Sequence, residues 1–156
     1  MTQYYDEMIK EGDKYAIFIQ DLHQLKGINM HFFQSKILQY EVGENNLNIE
    51  IKLDRNYKKT GNLFIEIKEK TNFNNENWIS SGIYRKDNSK EYLIGDYDNY
   101  WKFSINILRT MYESKKYKEV ESETKTSIGF LLPIKVANSV AVTWSKKDDH
   151  LFRKAE

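Results

Sequence analysis

The most constraining feature of this sequence is a pair of alternating apolar and polar segments within residues 47–70. In residues 47–54 every second side chain is Leu or Ile, and residues 63–67 repeat that pattern. A period of two is typical of a strand with one buried face. Between the segments, Gly61 supplies a residue without Cβ for the left-handed position of a tight turn. The pattern predicts an antiparallel hairpin over residues 47–70.

The polar face of this predicted hairpin carries two acids and two lysines. A turn centred on Thr60 sets Asp54 directly opposite Glu66, and the same register sets Lys52 opposite Lys68. Opposed Cβ atoms lie about 4.5–5.5 Å apart, so two carboxylates there repel each other unless a cation lies between them. A hard divalent cation suits carboxylate and water ligands. Lys68 would then stand close enough to orient a metal-bound water or to stabilise a phosphate charge.

The resulting motif, D-x11-E-x-K, resembles that of the PD-(D/E)XK nuclease superfamily. The sequence around it is similar to that of phage-type members of the superfamily. Further similarity lies in residues 60–66, 81–83 and 129–134, so the resemblance covers about residues 40–136. Leu53 stands where the family has Pro. The resemblance implies an α/β (α+β) fold of the restriction-endonuclease type, with a mixed central sheet of four to five strands flanked by helices. It also implies metal-dependent hydrolysis of phosphodiester bonds in nucleic acid.

The resemblance also implies roles for individual residues. Asp54 and Glu66 would bind Mg²⁺ or Mn²⁺, helped by the backbone carbonyl of Ile67. Lys68 would position the attacking water. Glu41, at the end of a predicted helix, is the candidate for the acid that the family often supplies from its first helix.

Several of these signals have a plainer interpretation. Glu44 and Glu50 are weaker alternatives to Glu41, which itself fits an exposed helix end. The E-x-K pattern alone carries little weight, because the chain contains four, one of them formed by Glu50 and Lys52. The acids of the hairpin also fit the solvated face of an ordinary antiparallel pair.

Basic and small residues near the predicted site are candidates for contact with nucleic acid. In the hairpin loop, lysines and an arginine would let a phosphate backbone approach, and Tyr57 would stack on a base. The alternative is a merely soluble hairpin tip. Gly82, on a predicted third strand, indicates close approach of a backbone or a ligand. The predicted contacts are Arg55, Tyr57, Lys58, Lys59, Ser81 and Gly82.

Length predicts one domain over residues 1–156, with N-terminal helices in 1–45, a core in 46–145 and a polar tail in 146–156. The resemblance implies that the core in 46–145 is nuclease-like. A net charge of +1 provides no large basic field for nucleic acid. The absence of cysteine excludes disulfide and thiolate chemistry. No long apolar run predicts a signal peptide or a membrane span.

Periodicity and turn signals predict the remaining elements. Helices are expected over residues 2–26, with a break at Gly12 and an end at Gly27, and over residues 30–40. Strands are expected over residues 78–84, 91–97 and within 128–142. A helix is expected over residues 99–115, with Asp98 or Asn99 as its N-cap.

The predicted partner is nucleic acid, DNA rather than RNA, in the cytoplasm of a bacterial or archaeal host and away from membranes. A host protein partner and a homodimer stay open. Two other functions also stay open: a phage-encoded protein inhibitor on a nuclease-like scaffold, and a nucleic-acid binder that does not cut.

Overall fold

The structure, a computed structural model, describes residues 3–145 and has a mixed α/β architecture, which confirms the predicted class. The predicted tail, 146–156, lies outside the described residues. The helices of the described chain are α1 (Gln3–Leu25), α2 (Lys36–Glu41), α3 (Tyr57–Thr60), α4 (Ile105–Glu113) and α5 (Ile134–Val140), with a 3-10 turn at Gly82–Tyr84. The strands are β1 (Ile49–Leu53), β2 (Asn62–Glu69), β3 (Ile79–Ser80), β4 (Glu91–Gly95), β5 (Tyr100–Ser104), β6 (Glu119–Glu121), β7 (Ser127–Pro133) and β8 (Thr143–Ser145).

The strands form two four-stranded sheets rather than the single central sheet that the sequence predicted. The first sheet has the order β1-β4-β5-β8, with β1 parallel to β4 and the other pairs antiparallel. The second has the order β3-β2-β7-β6 and is antiparallel throughout. The larger core contains residues of both sheets, α4 and α5. Its fully buried members include Leu63, Ile65, Tyr92, Phe103, Leu108, Phe130, Leu132 and Ala137.

The predicted hairpin is wrong, because β1 and β2 belong to different sheets. β1 pairs with β4, so Lys52 lies opposite Ile94 and not opposite Lys68. β2 pairs with β7, so Glu66 lies opposite Gly129. The short helix α3 separates the two strands, and Gly61 ends it with a φ of 75°. The left-handed glycine is therefore confirmed, while alternation specified two strands without specifying their partners.

A second core joins α1 to the first sheet. Tyr15, Ile19 and Leu22 of α1 are buried with Ile49 and Leu93 of the sheet. The helix runs through Gly12, so the predicted break there is wrong. It stops before Gly27, whose φ is 77°, as predicted.

His23 closes the last turn of α1 in a buried position, with its Nδ1 2.8 Å from the carbonyl oxygen of Ile19. Burial lowers the pKa of His23, the hydrogen bond to Ile19 opposes that change, and the positive charges of Lys102 and Lys26 add to it. The folded protein therefore binds fewer protons at this site than the unfolded chain does. Stability should fall as the pH drops through the ordinary histidine pKa of about 6.5.

Replacing His23 with Asn should remove that acid sensitivity, because the amide keeps a donor but does not titrate. The loss in the wild type should be at most about 1.4 kcal/mol per pH unit. Urea unfolding at about pH 7.5 and about pH 5.5 measures both proteins. An equal loss of stability in the variant would place the acid sensitivity elsewhere.

Three other predicted elements differ from the structure. The expected helix over residues 99–115 begins as strand β5, and only α4 is helical, so the N-cap prediction is wrong. The reason is Asp96, whose carboxylate accepts the N–H groups of Asp98 and Asn99 and so closes the β4–β5 turn. Of the strand expected over residues 78–84, only the two residues of β3 are in a strand. The expected helix over residues 30–40 shortens to α2.

Candidate active site

A cluster of buried and half-buried charges lies beside β1 and β2, centred on the amine of Lys52. This Nζ atom is 3.3 Å from Glu50 Oε1 and 3.4 Å from Glu66 Oε2. The two acids come from different sheets, so one lysine joins the sheets electrostatically. We call this set the carboxylate cluster; its members are Glu44, Glu50, Lys52, Glu66, Arg85 and Asp87.

Arg85 is the second cation of the cluster. Its Nη1 lies 3.5 Å from Glu50 Oε2 and 3.9 Å from Glu44 Oε1. Its Nε lies 3.1 Å from Asp87 Oδ2, and its Nη2 donates to the carbonyl oxygen of Gln39 at 2.9 Å. Arg85 thus holds Glu50 from the side opposite Lys52.

Local sequence explains how these side chains meet. Glu50 and Lys52 occupy alternate positions of β1 and so share one face. Gly82 starts the turn that leads to Arg85, and a Cβ placed there would lie 2.0 Å from the backbone oxygen of Glu66. Only glycine allows this approach, which confirms the predicted close contact and identifies the neighbour as the β2 backbone. Ser127 Oγ donates to Glu66 Oε1 at 3.0 Å and fixes that carboxylate.

Negative charge exceeds positive charge in this cluster. Burial, reinforced by the charge of Glu50, raises the pKa of Glu44 to about 8. Burial also opposes the charge of Lys52, but the carboxylates of Glu66 and Glu50 outweigh it and raise the pKa of the amine. Lys52 is therefore charged, and part of the acid excess is carried as a proton on Glu44.

Several buried polar atoms here have no hydrogen-bond partner in the protein. Among the described residues they include the hydroxyl of Tyr92 and three carboxylate oxygens that form ion pairs instead: Glu50 Oε2 with Arg85 at 3.5 Å, Glu66 Oε2 with Lys52 at 3.4 Å, and Asp87 Oδ2 with Arg85 at 3.1 Å. Tyr92 stands directly beside Glu50 on the neighbouring parallel strand. The three carboxylate oxygens are compensated by these cations, so of the four atoms only the Tyr92 hydroxyl is unsatisfied, at a cost of about 1–3 kcal/mol.

The structure places Asp54 outside this cluster. Its Oδ1 accepts from the N–H of Asn56 and its Oδ2 from the N–H of Phe64, both at 2.9 Å. The side chain is 8% exposed, and burial raises its pKa. Asp54 therefore fastens the start of α3 to β2, and the predicted pairing with Glu66 is wrong.

The other residues that were predicted to bind the metal or to position the water also do not all lie together. Glu66 lies in the cluster, but the carbonyl of Ile67 accepts from the N–H of Ser81 at 3.1 Å. The amine of Lys68 lies 5.8 Å from the ring centroid of Trp78. Glu41 is exposed at the end of α2. Of the predicted catalytic set, Glu66 alone meets Lys52.

Most of the residues around α3 that were predicted to contact nucleic acid instead bind other residues of the protein. Tyr57 is buried, and its hydroxyl donates to Asp96 Oδ1 at 2.7 Å, so its ring is not available for base stacking. Lys58 lies 3.2 Å from Asp96 Oδ2 and also pairs with Asp98. These contacts hold α3 against the β4–β5 turn.

The remaining candidates differ in exposure. Arg55 pairs with Glu11 of α1 at 2.5 Å. Lys59 is exposed on α3. Ser81 is buried beside the cluster, and its Oγ has no protein partner.

Sequence reasoning gave Lys52 and Arg85 no role in the site and ranked Glu50 low. A signal for the first pair was present, since Glu50 and Lys52 form one of the E-x-K patterns and lie on a clear strand. No signal connected them to Arg85 or to Glu66, because those contacts join segments that are distant in the sequence.

Comparison of the chain with protein-family models, with curated proteins and with solved structures found no match. Within residues 3–145, no helix is long and apolar enough to cross a membrane.

Proposed function

We propose that this protein is a divalent-metal-dependent nuclease whose reactive site is the carboxylate cluster. The observation that supports this most is the convergence of Glu50 and Glu66, from two different strands, on the amine of Lys52. Two acids and one lysine are the groups of the nuclease motif that the sequence resembles, and carboxylates are ligands that a hard divalent cation accepts. Glu50-Ile51-Lys52 supplies the E-x-K pattern, and Glu66 supplies the second acid.

Glu50 and Glu66 are the residues that would hold a metal such as Mg²⁺ or Mn²⁺. The buried Oε2 atoms of Glu50 and Glu66 are held by ion pairs with Arg85 and Lys52 rather than by hydrogen bonds, and the cluster carries more acids than bases. Within the described part of the chain, no three acids or histidines are grouped closely enough to hold an ion as they stand. The amine of Lys52 lies where the two carboxylates converge, so it must turn outward when an ion binds. Its side chain is 33% exposed, which gives it a route.

When bound, the ion supplies a water of lowered pKa and neutralises charge on a phosphate oxygen. The protein supplies the rest. Arg85 and Ser127 hold the carboxylates of Glu50 and Glu66 in fixed orientations. Lys52, charged and reaching solvent, can contact the phosphate and stabilise negative charge as it develops in the transition state.

The finer predictions belong to this proposal. A restriction-endonuclease-like arrangement, DNA as the substrate and the cytoplasm of a bacterial or archaeal host follow from the sequence resemblance. In this proposal the lysine of the E-x-K pattern is Lys52 on β1 rather than Lys68 on β2. Different residues then match the family motif, but the proposed site still contains two acids and one lysine.

The test is cleavage of plasmid, linear duplex, single-stranded DNA and RNA, each with Mg²⁺, Mn²⁺ or EDTA. We expect cutting of at least one substrate with a metal and none with EDTA. Absence of metal-dependent cutting on every substrate would contradict the proposal. A protein inhibitor or a non-cutting binder would then be the function to pursue, beginning with capture of host proteins.

A further inference from the structure

A patch of basic and aromatic side chains lies at the end of β2, outside the carboxylate cluster. The amine of Lys70 lies 4.5 Å from the ring centroid of Trp78, and that of Lys68 lies 5.8 Å from it. Both distances are within the range of cation–π attraction. We call these three residues, Lys68, Lys70 and Trp78, the Lys-Trp patch.

The two lysines of the patch are not neutralised by acids. Among the ion pairs of residues 3–145, neither Lys68 nor Lys70 has a carboxylate within 4.0 Å, whereas Lys52 and Lys58 do. Trp78 is half-buried, so part of its side chain reaches solvent. Positive charge beside a partly exposed aromatic ring complements a nucleic-acid strand, which offers phosphates and flat bases.

The loop before Trp78 has a matching character. Residues 71–77 are polar and rich in asparagine, and Phe73 is 62% exposed among them. Glu69 and Glu76 are the acids of this region, so its basic character is local and not a broad field. A small basic site with exposed rings suits a short unpaired strand better than a duplex, whose rigid backbone needs many phosphate contacts.

The position of the patch connects it to the cluster. Lys68 follows Glu66 by two residues on β2, with an irregularity of the strand between them, so the two residues pair with the adjacent positions Gly129 and Ile128 of β7. Lys68 also pairs with Ser80 of β3, the residue before Ser81 beside the cluster. A strand held at the patch would pass close to the carboxylates.

We propose that the Lys-Trp patch binds single-stranded nucleic acid, with Trp78 stacking on an unpaired base and both lysines contacting the neighbouring phosphates. This inference rests on the proposed function for the identity of the substrate, and it specifies the form of that substrate.

Binding is measured by fluorescence anisotropy of a labelled oligonucleotide of about 12 nucleotides, in EDTA so that no cutting occurs. Trp78→Ala should weaken the binding of single-stranded DNA by about 5- to 150-fold, the usual effect of losing one stacked base. Trp78→Phe should keep most of the affinity because it keeps a ring. Lys70→Ala should reduce the salt dependence by about 0.7 in the slope of log K against log salt.

Tyr40→Ala is the matched control, since Tyr40 is 76% exposed on α2 and belongs to a different element. It should leave binding unchanged. Equal binding by Trp78→Ala and the wild type, or a duplex of the same sequence binding as tightly as the single strand, would overturn this inference. So would the absence of binding at low salt.

The variant Glu50→Gln separates this inference from the nuclease proposal, because it alters the cluster and leaves the patch intact. Binding that depends on Trp78 without any metal-dependent cutting supports the patch and contradicts the nuclease. Cutting that is unaffected by Trp78→Ala supports the nuclease and overturns the patch.

Discussion

Glu50→Gln should reduce metal-dependent cleavage about 100- to 1,000-fold, equivalent to about 2.7–4 kcal/mol of transition-state stabilisation. The amide keeps the shape of the side chain but removes the charge that pairs with Lys52 and that would bind a metal. Lys52→Ala should cause a similar loss, since it removes the cation at the centre of the cluster. Initial rates with saturating Mg²⁺ or Mn²⁺ measure both variants.

Asp54→Asn is the matched control, because Asp54 is a buried carboxylate of the same region at 8% exposure. Its oxygens accept backbone N–H groups, so the variant should lose stability, on the order of 1–3 kcal/mol, and keep its turnover in the folded fraction. Thermal unfolding and circular dichroism give that fraction. If Asp54→Asn abolished turnover while Glu50→Gln kept it, catalysis would depend on Asp54 and the cluster would be excluded as the reactive site.

Gly82→Ala should be the most destabilising single substitution near the site, with a loss of about 3–5 kcal/mol in the free energy of unfolding. A Cβ at this position would lie 2.0 Å from the backbone oxygen of Glu66 and 2.6 Å from its carbonyl carbon. Backbone atoms in a sheet cannot move aside as a flexible side chain can. The φ of 54° adds a further penalty for any residue with a Cβ.

Gly61→Ala separates the two causes, because Gly61 has a φ of 75° but open space around it. It should cost only about 1–2 kcal/mol, the conformational part alone. Urea unfolding of both variants gives the comparison. Similar losses for Gly61→Ala and Gly82→Ala would show that the contact with Glu66 is not tight in solution.

Local sequence patterns correctly predicted two strands and one turn near Glu50. Alternation over residues 47–54 and 63–67 correctly indicated strands β1 and β2, and Gly61 correctly indicated a left-handed turn. These signals are local, because side-chain direction in a strand and the freedom of a glycine depend on a few adjacent residues. The mixed α/β class followed from the same patterns.

The same patterns did not predict which strands pair with each other. Lys59-Thr60-Gly61 predicts a hairpin loop after a strand that ends at Asp54. In the structure Asp54 instead accepts the N–H of Asn56, and the helical turn α3 separates β1 from β2, which belongs to the other sheet. Whether β1 pairs with β2 or β4 depends on packing energies summed over the whole core, which no single segment contains.

The sequence by itself determined that this chain has strands with acidic and basic side chains at alternate positions, that Gly61 occupies a left-handed turn position and that Gly82 is approached closely. Only the tertiary structure decided which charges meet. Lys52 reaches Glu66 from another sheet, and Arg85 reaches Glu50 across thirty-five positions of the chain. Such contacts form because burial makes an unpaired charge costly, and that cost is set by the folded core rather than by neighbours in the sequence.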